Sequence, residues 1–201
     1  MGFPTAGGAV PIVVALGLYD LAVGDGTIRP RGDDGYTACE AATAGPVELG
    51  RTGAGAGATL AKWQGRDHAR PGGLGGCTLR HGEVVVAALV AVNAYGDLLE
   101  PGDDAPRVPR PPIETGEAAF ANTTIGVIAT NARLTKGECL LVAQSGHDGM
   151  SRALSPAHST ADGDALIAAC TGLVPAEVEP VRSLAAVAVE QAIRSAASQV
   201  A

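Results

Sequence analysis

An uninterrupted apolar run at residues 84–92 restricts the possible folds of this chain more than any other segment. All nine of these residues are valine, alanine or leucine. Apolarity without alternation, over the length of one strand, is typical of a strand covered on both faces, and we expect that strand to span 83–93. A second apolar run, at residues 124–130, predicts another strand. The two runs favour an α/β chain with buried sheets and covering helices.

The composition limits what can fill the core of such a fold. Of 201 residues, 46% are apolar but only 3% are aromatic, and 28 are glycine. We therefore expect one domain whose core consists of Ala, Val, Leu and Ile, with glycines permitting tight turns and close backbone approach. The apolar fraction is too high for a disordered chain. With a net charge of −7 and no basic stripe, we expect no nucleic-acid partner.

The cysteines and the start of the chain indicate the compartment. Four cysteines lie far apart with no CxxC pair, and we expect buried, reduced thiols. Because no signal-peptide pattern opens the chain, the sequence predicts a cytoplasmic protein. The apolar run at residues 10–18 is too short to span a bilayer, so we expect no membrane partner.

The remaining patterns predict the other elements. Residues 10–21 form either a buried strand or a buried helix, since periodicity does not separate the two. Residues 25–35 are predicted to be a polar loop. Further helices are predicted at residues 36–43, 149–154, 163–171 and 182–200, and a further strand at residues 138–144, after a turn at 134–137.

A proline-rich segment separates the two apolar runs. Residues 97–121 contain five prolines and several charges, and such linkers are exposed and accessible to cleavage. At the other end, Met1-Gly2-Phe3-Pro4 leads at once into an apolar run, as though the chain entered the middle of a domain. We therefore expect residues 1–201 to form a single domain from which an N-terminal portion is absent.

The junction between Asn122 and Thr123 is the strongest candidate for chemistry. Cleavage there would make Thr123 an N-terminal residue that carries both a hydroxyl nucleophile and an α-amine base. A free α-amine has a pKa of about 8, so it can accept a proton at neutral pH. The alternative is an ordinary strand start. The linker before this junction, the strand after it and the carboxylates downstream favour a self-cleaving N-terminal-nucleophile amidohydrolase.

Asp162 and Asp164 are the candidate partners of Thr123. Carboxylates accept hydrogen bonds and stabilise a cation, so they are suited to hold the ammonium and hydroxyl groups of Thr123. Alternatively, an aspartate here caps a following helix. Asn93 ends the first apolar run, where its amide either bonds to local backbone or donates to an oxyanion. Tyr19, a phenol at the end of another apolar run, has similar interpretations.

The metal and nucleotide motifs are incomplete. His147, Asp148 and His158 show no HxH or HExxH spacing, so we expect no metal and assign His147, with Asp148, a supporting or helix-capping role. The glycine-alanine run at residues 53–58 precedes Lys62 but lacks the Gly-Lys-Ser/Thr end of a P-loop and the strand before a dinucleotide fingerprint. We expect a close-packed turn that presents Lys62, and no cofactor.

Taken together, several ordered motifs resemble the peptidase S58 family, also called the P1 or DmpA family. This family includes L-aminopeptidase/D-esterases, β-peptidyl aminopeptidases and 6-aminohexanoate-oligomer (nylon oligomer) hydrolases. The resemblance runs through nearly the whole chain. It is carried by the stretches at residues 53–59, 72–75, 88–97, 122–132, 146–154, 156–158 and 162–164.

The resemblance implies an α/β fold, a four-layer αββα sandwich of the N-terminal-nucleophile-like (DmpA/ornithine acetyltransferase-like) type. It also implies self-cleavage into residues 1–122 and 123–201, with Thr123 as the nucleophile. Asp162 and Asp164 match the paired acids of the nylon-oligomer hydrolases, where other members of the family carry Ser and Glu.

Further site residues follow from the same resemblance. Asn93 matches the oxyanion-side amide, and Lys62 and Tyr19 fall where nylon-oligomer hydrolases have site residues. The family implies a small amide or peptide substrate with a free amino end, and a homo-oligomer, often a tetramer or larger. It also implies a longer segment before Met1, with a Gly-Ser-Ala-Phe-Gly-type motif that helps to wall the pocket.

Two other functions are compatible with the sequence. The similarly folded ornithine acetyltransferases also expose a threonine by self-cleavage, so acyl transfer to an amine is one alternative. The motifs at residues 147–164 favour the hydrolase over the acyltransferase. The second alternative is a truncated, non-catalytic chain or structural subunit.

Overall fold

The structure, a computed structural model, describes residues 2–100, 102–103, 105, 107–109 and 122–198. Much of the predicted linker at residues 97–121 lies outside the described residues. The strands are β1 Phe3–Thr5, β2 Gly8–Val10, β3 Thr59–Leu60, β4 Arg70–Pro71, β5 Gly73–His81, β6 Val84–Asn93, β7 Asp97–Leu98, β8 Thr123–Ala132, β9 Leu154–Ser155 and β10 Ala165–Val174. The α-helices are α1 Gly32–Ala41, α2 Lys136–Ala153 and α3 Val178–Ser198, and short 3-10 helices span Gly53–Gly55, Lys62–Gln64 and Arg66–His68.

The main sheet has the strand order β10-β8-β6-β5. β6 is antiparallel to both of its neighbours, so that Ala88 lies opposite Cys77 of β5 and Ile128 of β8. β10 runs parallel to β8, and a parallel pair needs a crossover, which α2 provides. The predicted strands at residues 83–93 and 124–130 are confirmed as the two central strands of this sheet.

The hydrophobic core lies between one face of this sheet and the helix pair α2 and α3. Val86 and Val90 of β6, Ile128 of β8, and Val189 and Ile193 of α3 have no exposed surface. The core is therefore aliphatic, as the composition predicts.

The opposite face of the sheet is covered less completely. Val127 of β8 is 36% exposed and lines an apolar groove together with Leu49 and Leu89. The prediction from residues 84–92 of a strand covered on both faces therefore holds for the helix-facing side and is too strong for this second face. In the part of the chain that the structure describes, no helix has the length and apolarity needed to cross a membrane.

Two glycines allow the helical layer to pack closely. A Cβ atom at Gly75 of β5 would lie 1.9 Å from the carbonyl oxygen of Ala192 in α3. A Cβ atom at Gly149 of α2 would lie 2.0 Å from the carbonyl oxygen of Ala186 in α3. Because both distances are far below van der Waals contact, a larger residue at either position would force the elements apart. The predicted use of glycine for close backbone approach is confirmed here.

The prediction of a strand at residues 138–144 is wrong, because these residues lie in α2. α2 begins with a capping box in which the Thr135 hydroxyl accepts from the main-chain N–H of Glu138 and the Glu138 carboxylate accepts from that of Thr135. Its buried residues recur at helical spacing and include Val142, Ala143, Gly146, Gly149, Met150 and Ala153. The run at 138–144 is therefore about two turns of a longer amphipathic helix, in which the predicted helix at residues 149–154 also largely lies.

The prediction of a helix at residues 163–171 is wrong as well, because β10 begins at Ala165. β10 pairs with β8 from Ala165 to Cys170 in continuous parallel register. Since Asp162 precedes a strand, the alternative of a helix cap at this position is excluded. The predicted helix at residues 182–200 is confirmed in its described part, as α3.

The N-terminal residues differ most from expectation. Residues 11–20 form no regular element, and Ile12 and Val13 are 73% and 81% exposed, so the predicted buried strand or helix at residues 10–21 is wrong. α1 starts inside the predicted loop and ends at Ala41, and none of its residues is buried. Without a partner surface among the described residues, an apolar run does not become a core element.

The cysteines are free thiols, as predicted, but the predicted burial is wrong. Cys39 is exposed in α1. Cys77, Cys139 and Cys170 are only partly covered, because they lie on the outer strand β5, in the first turn of α2 and in the middle of the outer strand β10.

Candidate active site

Thr123 is the first residue of β8 and lies in the middle of the predicted site. It pairs with Asn93, the last residue of β6, and is 7% exposed. The chain runs continuously from Asn122 into Thr123, so the nitrogen of Thr123 is a peptide nitrogen in this structure. The contacts described below are therefore those around the intact Asn122–Thr123 peptide bond.

The carbonyl group of Asn122 receives two contacts. The Thr123 hydroxyl donates to this carbonyl oxygen, and the main-chain N–H of Gly163 donates to the same atom at an N···O distance of 2.9 Å. The Asn122 side chain is buried and donates from Nδ2 to the Ala161 carbonyl at 3.2 Å, while its Oδ1 has no partner among the described residues. The peptide bond in front of Thr123 is thus held on one side by the loop that precedes β10.

Asp162 is fixed by that loop and by the end of β6. Its carboxylate accepts from the main-chain N–H of Tyr95 at 3.0 Å, from the Ser159 hydroxyl at 2.7 Å and from the Ser159 N–H at 3.3 Å. Burial raises the pKa of Asp162, the charge of Asp164 adds to this, and the hydrogen bonds from Ser159 and Tyr95 oppose it. The carboxylate therefore connects the loop to the strand on the other side of Thr123.

Asp164 is fixed on both oxygens. Its Oδ1 accepts from the main-chain N–H of Thr124 at 2.8 Å, and its Oδ2 accepts from the main-chain N–H of His158 at 3.2 Å. The Nδ1 atom of His158 lies 3.0 Å from the same Oδ2. This hydrogen bond to Asp164 raises the pKa of His158, although partial burial opposes it. Both aspartates thus bond to the residues around Thr123 and to their own loop.

The two predicted supporting residues lie in α2. The ring centroid of His147 is 4.9 Å from that of His158, and its carbonyl lies 3.4 Å from His158 Nε2. Burial lowers the pKa of His147, while the charges of Asp164 and Asp148 oppose this shift. His147 stands inside the helix rather than at its end, so it does not cap α2, and its contact with His158 places it beside the loop that holds Asp164. Within the described ranges, no group of three metal-ligating side chains is present.

Lys62 brings a buried amine to the other side of Thr123. Its Nζ donates to Asn93 Oδ1 at 3.0 Å and to the Asn93 carbonyl at 3.3 Å. Burial, with a contribution from the charge of Arg66, lowers the pKa of Lys62 to about 7, although Asp162 opposes the shift. Lys62 sits in a 3-10 turn after Ala61, which has a left-handed backbone with φ of 68°. A tight turn does present Lys62, but it is a separate 3-10 turn after β3 and not the glycine-alanine run at residues 53–58.

Asn93 connects several parts of the site. Besides Lys62, its Oδ1 accepts from the main-chain N–H of Thr59 at 3.0 Å, and its Nδ2 donates to the main-chain carbonyl of Tyr19 at 3.0 Å. Tyr19 thus joins the site through its backbone, while the residue is 43% exposed. The amide of Asn93 holds three chain segments together next to Thr123.

The structure brings most of the predicted residues to one place. Thr123 is flanked by Asn93 and Lys62 on one side and by the loop of Asp162 and Asp164 on the other. Sequence reasoning missed the Tyr95 N–H and the Gly163 N–H, because a main-chain donor leaves no trace in residue type. It also missed the Ser159 hydroxyl, a side-chain donor to Asp162. The position of Gly163 between two aspartates was a sequence signal that could have indicated the role of its N–H.

Comparisons with known proteins identify a matching family and several relatives. The model of the family described as Peptidase family S58 matches residues 5–201. "Uncharacterized aminopeptidase ML1167" of Mycobacterium leprae is 37% identical over 201 aligned residues, which cover 87% of this chain and 53% of that protein. "6-aminohexanoate-oligomer endohydrolase" of Agromyces sp. is 30% identical over 183 residues, covering 81% of this chain and 51% of that protein. The chain thus spans about half the length of these curated relatives.

Solved structures with the same fold include two aminopeptidases. A Burkholderia sp. beta-aminopeptidase has a TM-score of 0.59 at 26% identity, covering 80% of this chain and 49% of that one. The L-aminopeptidase D-Ala-esterase/amidase from Ochrobactrum anthropi, described as a variant of the Ntn hydrolase fold, has a TM-score of 0.59 at 22% identity, covering 82% and 48%. The predicted α/β fold of the N-terminal-nucleophile type is confirmed.

Proposed function

This chain belongs to peptidase family S58, and from that premise we propose that it is a self-processing N-terminal-threonine hydrolase of peptide or amide bonds. The observation that carries the proposal is the position of the Thr123 hydroxyl, which donates to the carbonyl oxygen of Asn122. An oxygen nucleophile next to the carbonyl of its own peptide bond is the arrangement that an N-to-O acyl shift requires.

In maturation, the Thr123 oxygen attacks the Asn122 carbonyl carbon. A C–O bond forms, the C–N bond breaks, and the hydroxyl proton ends on the released nitrogen of Thr123. Water then hydrolyses the resulting ester, which leaves a carboxylate on Asn122 and a free α-amine on Thr123. Because that amine does not exist before cleavage, a different base must take the proton first.

Lys62 is the group we propose for this first proton transfer. With a pKa of about 7, a large fraction of Lys62 is a neutral amine at neutral pH. Its Nζ bonds to the side chain of Asn93, which pairs directly with Thr123 across the two strands. Lys62 then keeps Asn93 oriented when the mature site acts on a substrate.

In turnover, the α-amine of Thr123 takes the hydroxyl proton as Thr123 attacks a substrate carbonyl, and water resolves the acyl-enzyme. The substrate we propose is a small amide with a free amino end, such as a short peptide or an ω-amino-acid oligomer. Two features support this choice, namely the aminopeptidase and 6-aminohexanoate-oligomer endohydrolase names of the relatives and the acidic residues beside Thr123. A homo-oligomeric assembly and a cytoplasmic location stay predictions.

The experiment is an activity assay with a matched pair of variants. Purified wild type, Thr123→Ala and Thr171→Ala are incubated with amino-acid p-nitroanilides and with 6-aminohexanoate oligomers. Thr171 is an exposed threonine of β10, so it controls for loss of a threonine hydroxyl. We expect hydrolysis by wild type and Thr171→Ala, and none by Thr123→Ala.

A second arm adds an amine acceptor. Free acid as the product, at a rate independent of the acceptor, supports a hydrolase. An acylated acceptor would instead assign the chain to acyl transfer, and activity retained in Thr123→Ala would contradict the proposed nucleophile.

A further inference from the structure

The residues before β10 continue its parallel pairing with β8. Within the strands, Ala165 lies opposite Ile125, and beyond the strand ends Asp162 lies opposite Asn122 at the same offset. Gly163 therefore stands directly opposite Thr123. The short segment at residues 162–164 is thus an extension of the sheet along the peptide bond that the proposed function cleaves.

The geometry assigns to the main-chain N–H of Gly163 the role of oxyanion donor in the self-cleavage of the Asn122–Thr123 bond. It already donates to the Asn122 carbonyl oxygen at 2.9 Å, while the Thr123 hydroxyl contacts the same carbonyl. This inference rests on the proposed function, because it concerns the same bond. It adds the group that stabilises the negative charge that develops on the Asn122 carbonyl oxygen.

The reaction places that charge on one atom. As the Thr123 oxygen bonds to the Asn122 carbonyl carbon, the carbonyl π electrons move to the oxygen, which becomes an oxyanion. When the C–N bond breaks, those electrons return and the nitrogen takes the proton. The Gly163 N–H keeps its own bond throughout and donates a hydrogen bond that strengthens as the charge develops.

A glycine is required here by space. A Cβ atom at position 163 would lie 2.9 Å from Thr123 Oγ1 and 3.8 Å from the Asn122 carbonyl oxygen. The backbone of Gly163 lies outside the left-handed region, so the restriction comes from the nucleophile and not from backbone strain. Any side chain at this position would push the Thr123 hydroxyl away from the carbonyl that it attacks.

The two aspartates hold this donor in place. Asp162 accepts from the Tyr95 N–H, two residues after β6, and Asp164 accepts from the Thr124 N–H in β8. Gly163 lies between these two anchored residues, so its N–H has little freedom to turn away. This explains why both carboxylates bond to main-chain N–H groups around Thr123: in the precursor they act as positioning residues for the Gly163 donor.

The first test compares Gly163→Ala with Gly137→Ala. Gly137 lies in α2 with open space where a Cβ would be built, so it is a matched glycine substitution away from the site. Each precursor is isolated in denaturant, refolded, and followed by intact mass as it splits. We expect self-cleavage about 100-fold slower for Gly163→Ala, from displacement of the hydroxyl and its donor, and an unchanged rate for Gly137→Ala.

A second protein removes the donor without adding an atom to the site. A synthetic segment 139–201 is ligated through the thiol of Cys139 to a thioester of residues 1–138, with an ester in place of the Asp162–Gly163 amide. Oxygen then replaces the N–H of Gly163. We expect this chain to mature about 100-fold more slowly than the all-amide chain assembled in the same way.

The outcomes separate this inference from the function on which it rests. If the ester chain matures at the rate of the all-amide chain, the Gly163 N–H is not the oxyanion donor, whatever Gly163→Ala does. In that case cleavage that still depends on Thr123 would leave the proposed function standing. If Thr123→Ala splits like wild type, or if wild type never splits, the proposed function fails and this inference fails with it.

Discussion

Two groups of residues meet at the Asn122–Thr123 bond, and they differ in kind. The strand side consists of Lys62 and Asn93, where a buried amine titrates near neutral pH. The loop side consists of residues 158–164, where two carboxylates bond to main-chain N–H groups and to their own loop. One side therefore offers a group that exchanges protons, and the other offers fixed geometry.

This difference predicts which measured property a substitution on each side should change. A change on the strand side should alter the pH at which self-cleavage becomes fast. A change on the loop side, except at Asp162, whose charge raises the pKa of Lys62, should alter the rate or the stability of the precursor without moving that pH. The following substitutions test the separation, beginning with the largest expected effect.

Replacing the strand-side amine should have the largest effect. In wild type, the rate of self-cleavage should rise as the pH rises through about 7, because Lys62 is protonated below that pH and cannot accept a proton. Lys62→Met should lower the rate by about 10²–10⁴-fold and remove this rise. The control is Lys136→Met, since Lys136 is exposed in the first turn of α2. A Lys62→Met precursor with the wild-type pH profile would show that the strand side does not supply the base.

Loosening the loop side should destabilise the precursor. Asp164→Asn removes a charge that accepts from Thr124 and His158, and hydrogen bonds to charged groups contribute about 1.5–3 kcal/mol each. We expect the free energy of unfolding to fall by about 2 kcal/mol. Urea unfolding in a Thr123→Ala background, where the chain is not cleaved, measures this.

The same substitution at the exposed Asp67 should leave the free energy of unfolding unchanged and serves as the control. In the cleavable background, Asp164→Asn should slow maturation but keep the rise of the rate near pH 7. A shift of that rise would mean that the two sides are not separate.

The smallest effect should come from His158. Its pKa is raised in the folded chain by Asp164, so the ion pair contributes stability that is complete below the unfolded pKa of about 6.5. This contribution is lost as the pH rises through the higher, folded pKa. His158→Gln should therefore lower the urea midpoint more at pH 5.5 than at pH 9. His81→Gln, at an exposed residue of β5, is the matched control, and an equal loss at both pH values would contradict the ion pair.

The sequence predicts the centre of the fold better than its edges. The runs at 84–92 and 124–130 form the two central strands, where strands flank them on both sides and α2 and α3 cover one face. The apolar residues at 12–16 are likewise Ile, Val, Ala and Leu, but they stay irregular and exposed. An apolar run indicates that its burial would stabilise the fold. Only the tertiary structure shows whether another element packs against it.

The two misassigned segments show a second limit. At 138–144 a short apolar run suggested a strand, yet the capping box of Thr135 and Glu138 marks the start of a helix, and the sequence contains that signal. At 163–171 no local signal separates helix from strand. There the parallel pairing with β8 makes the segment a strand, and that pairing connects residues far apart in the sequence.

For the site, residue types with distinctive chemistry were predictable. Thr123, Asp162, Asp164, Asn93 and Lys62 all lie around one peptide bond in the structure. Their hydrogen-bond partners were not predictable, because most of these are main-chain groups whose position depends on strand register. The lowered pKa of Lys62 likewise follows from burial that a sequence does not show.

The central claim is that the Thr123 hydroxyl cleaves the bond before it. Intact mass measurement of purified wild-type protein, with N-terminal sequencing of the smaller product, tests it most directly. We predict two chains, one ending at Asn122 and one beginning with Thr123. A single unbroken chain, or a break at any other bond, would contradict the claim.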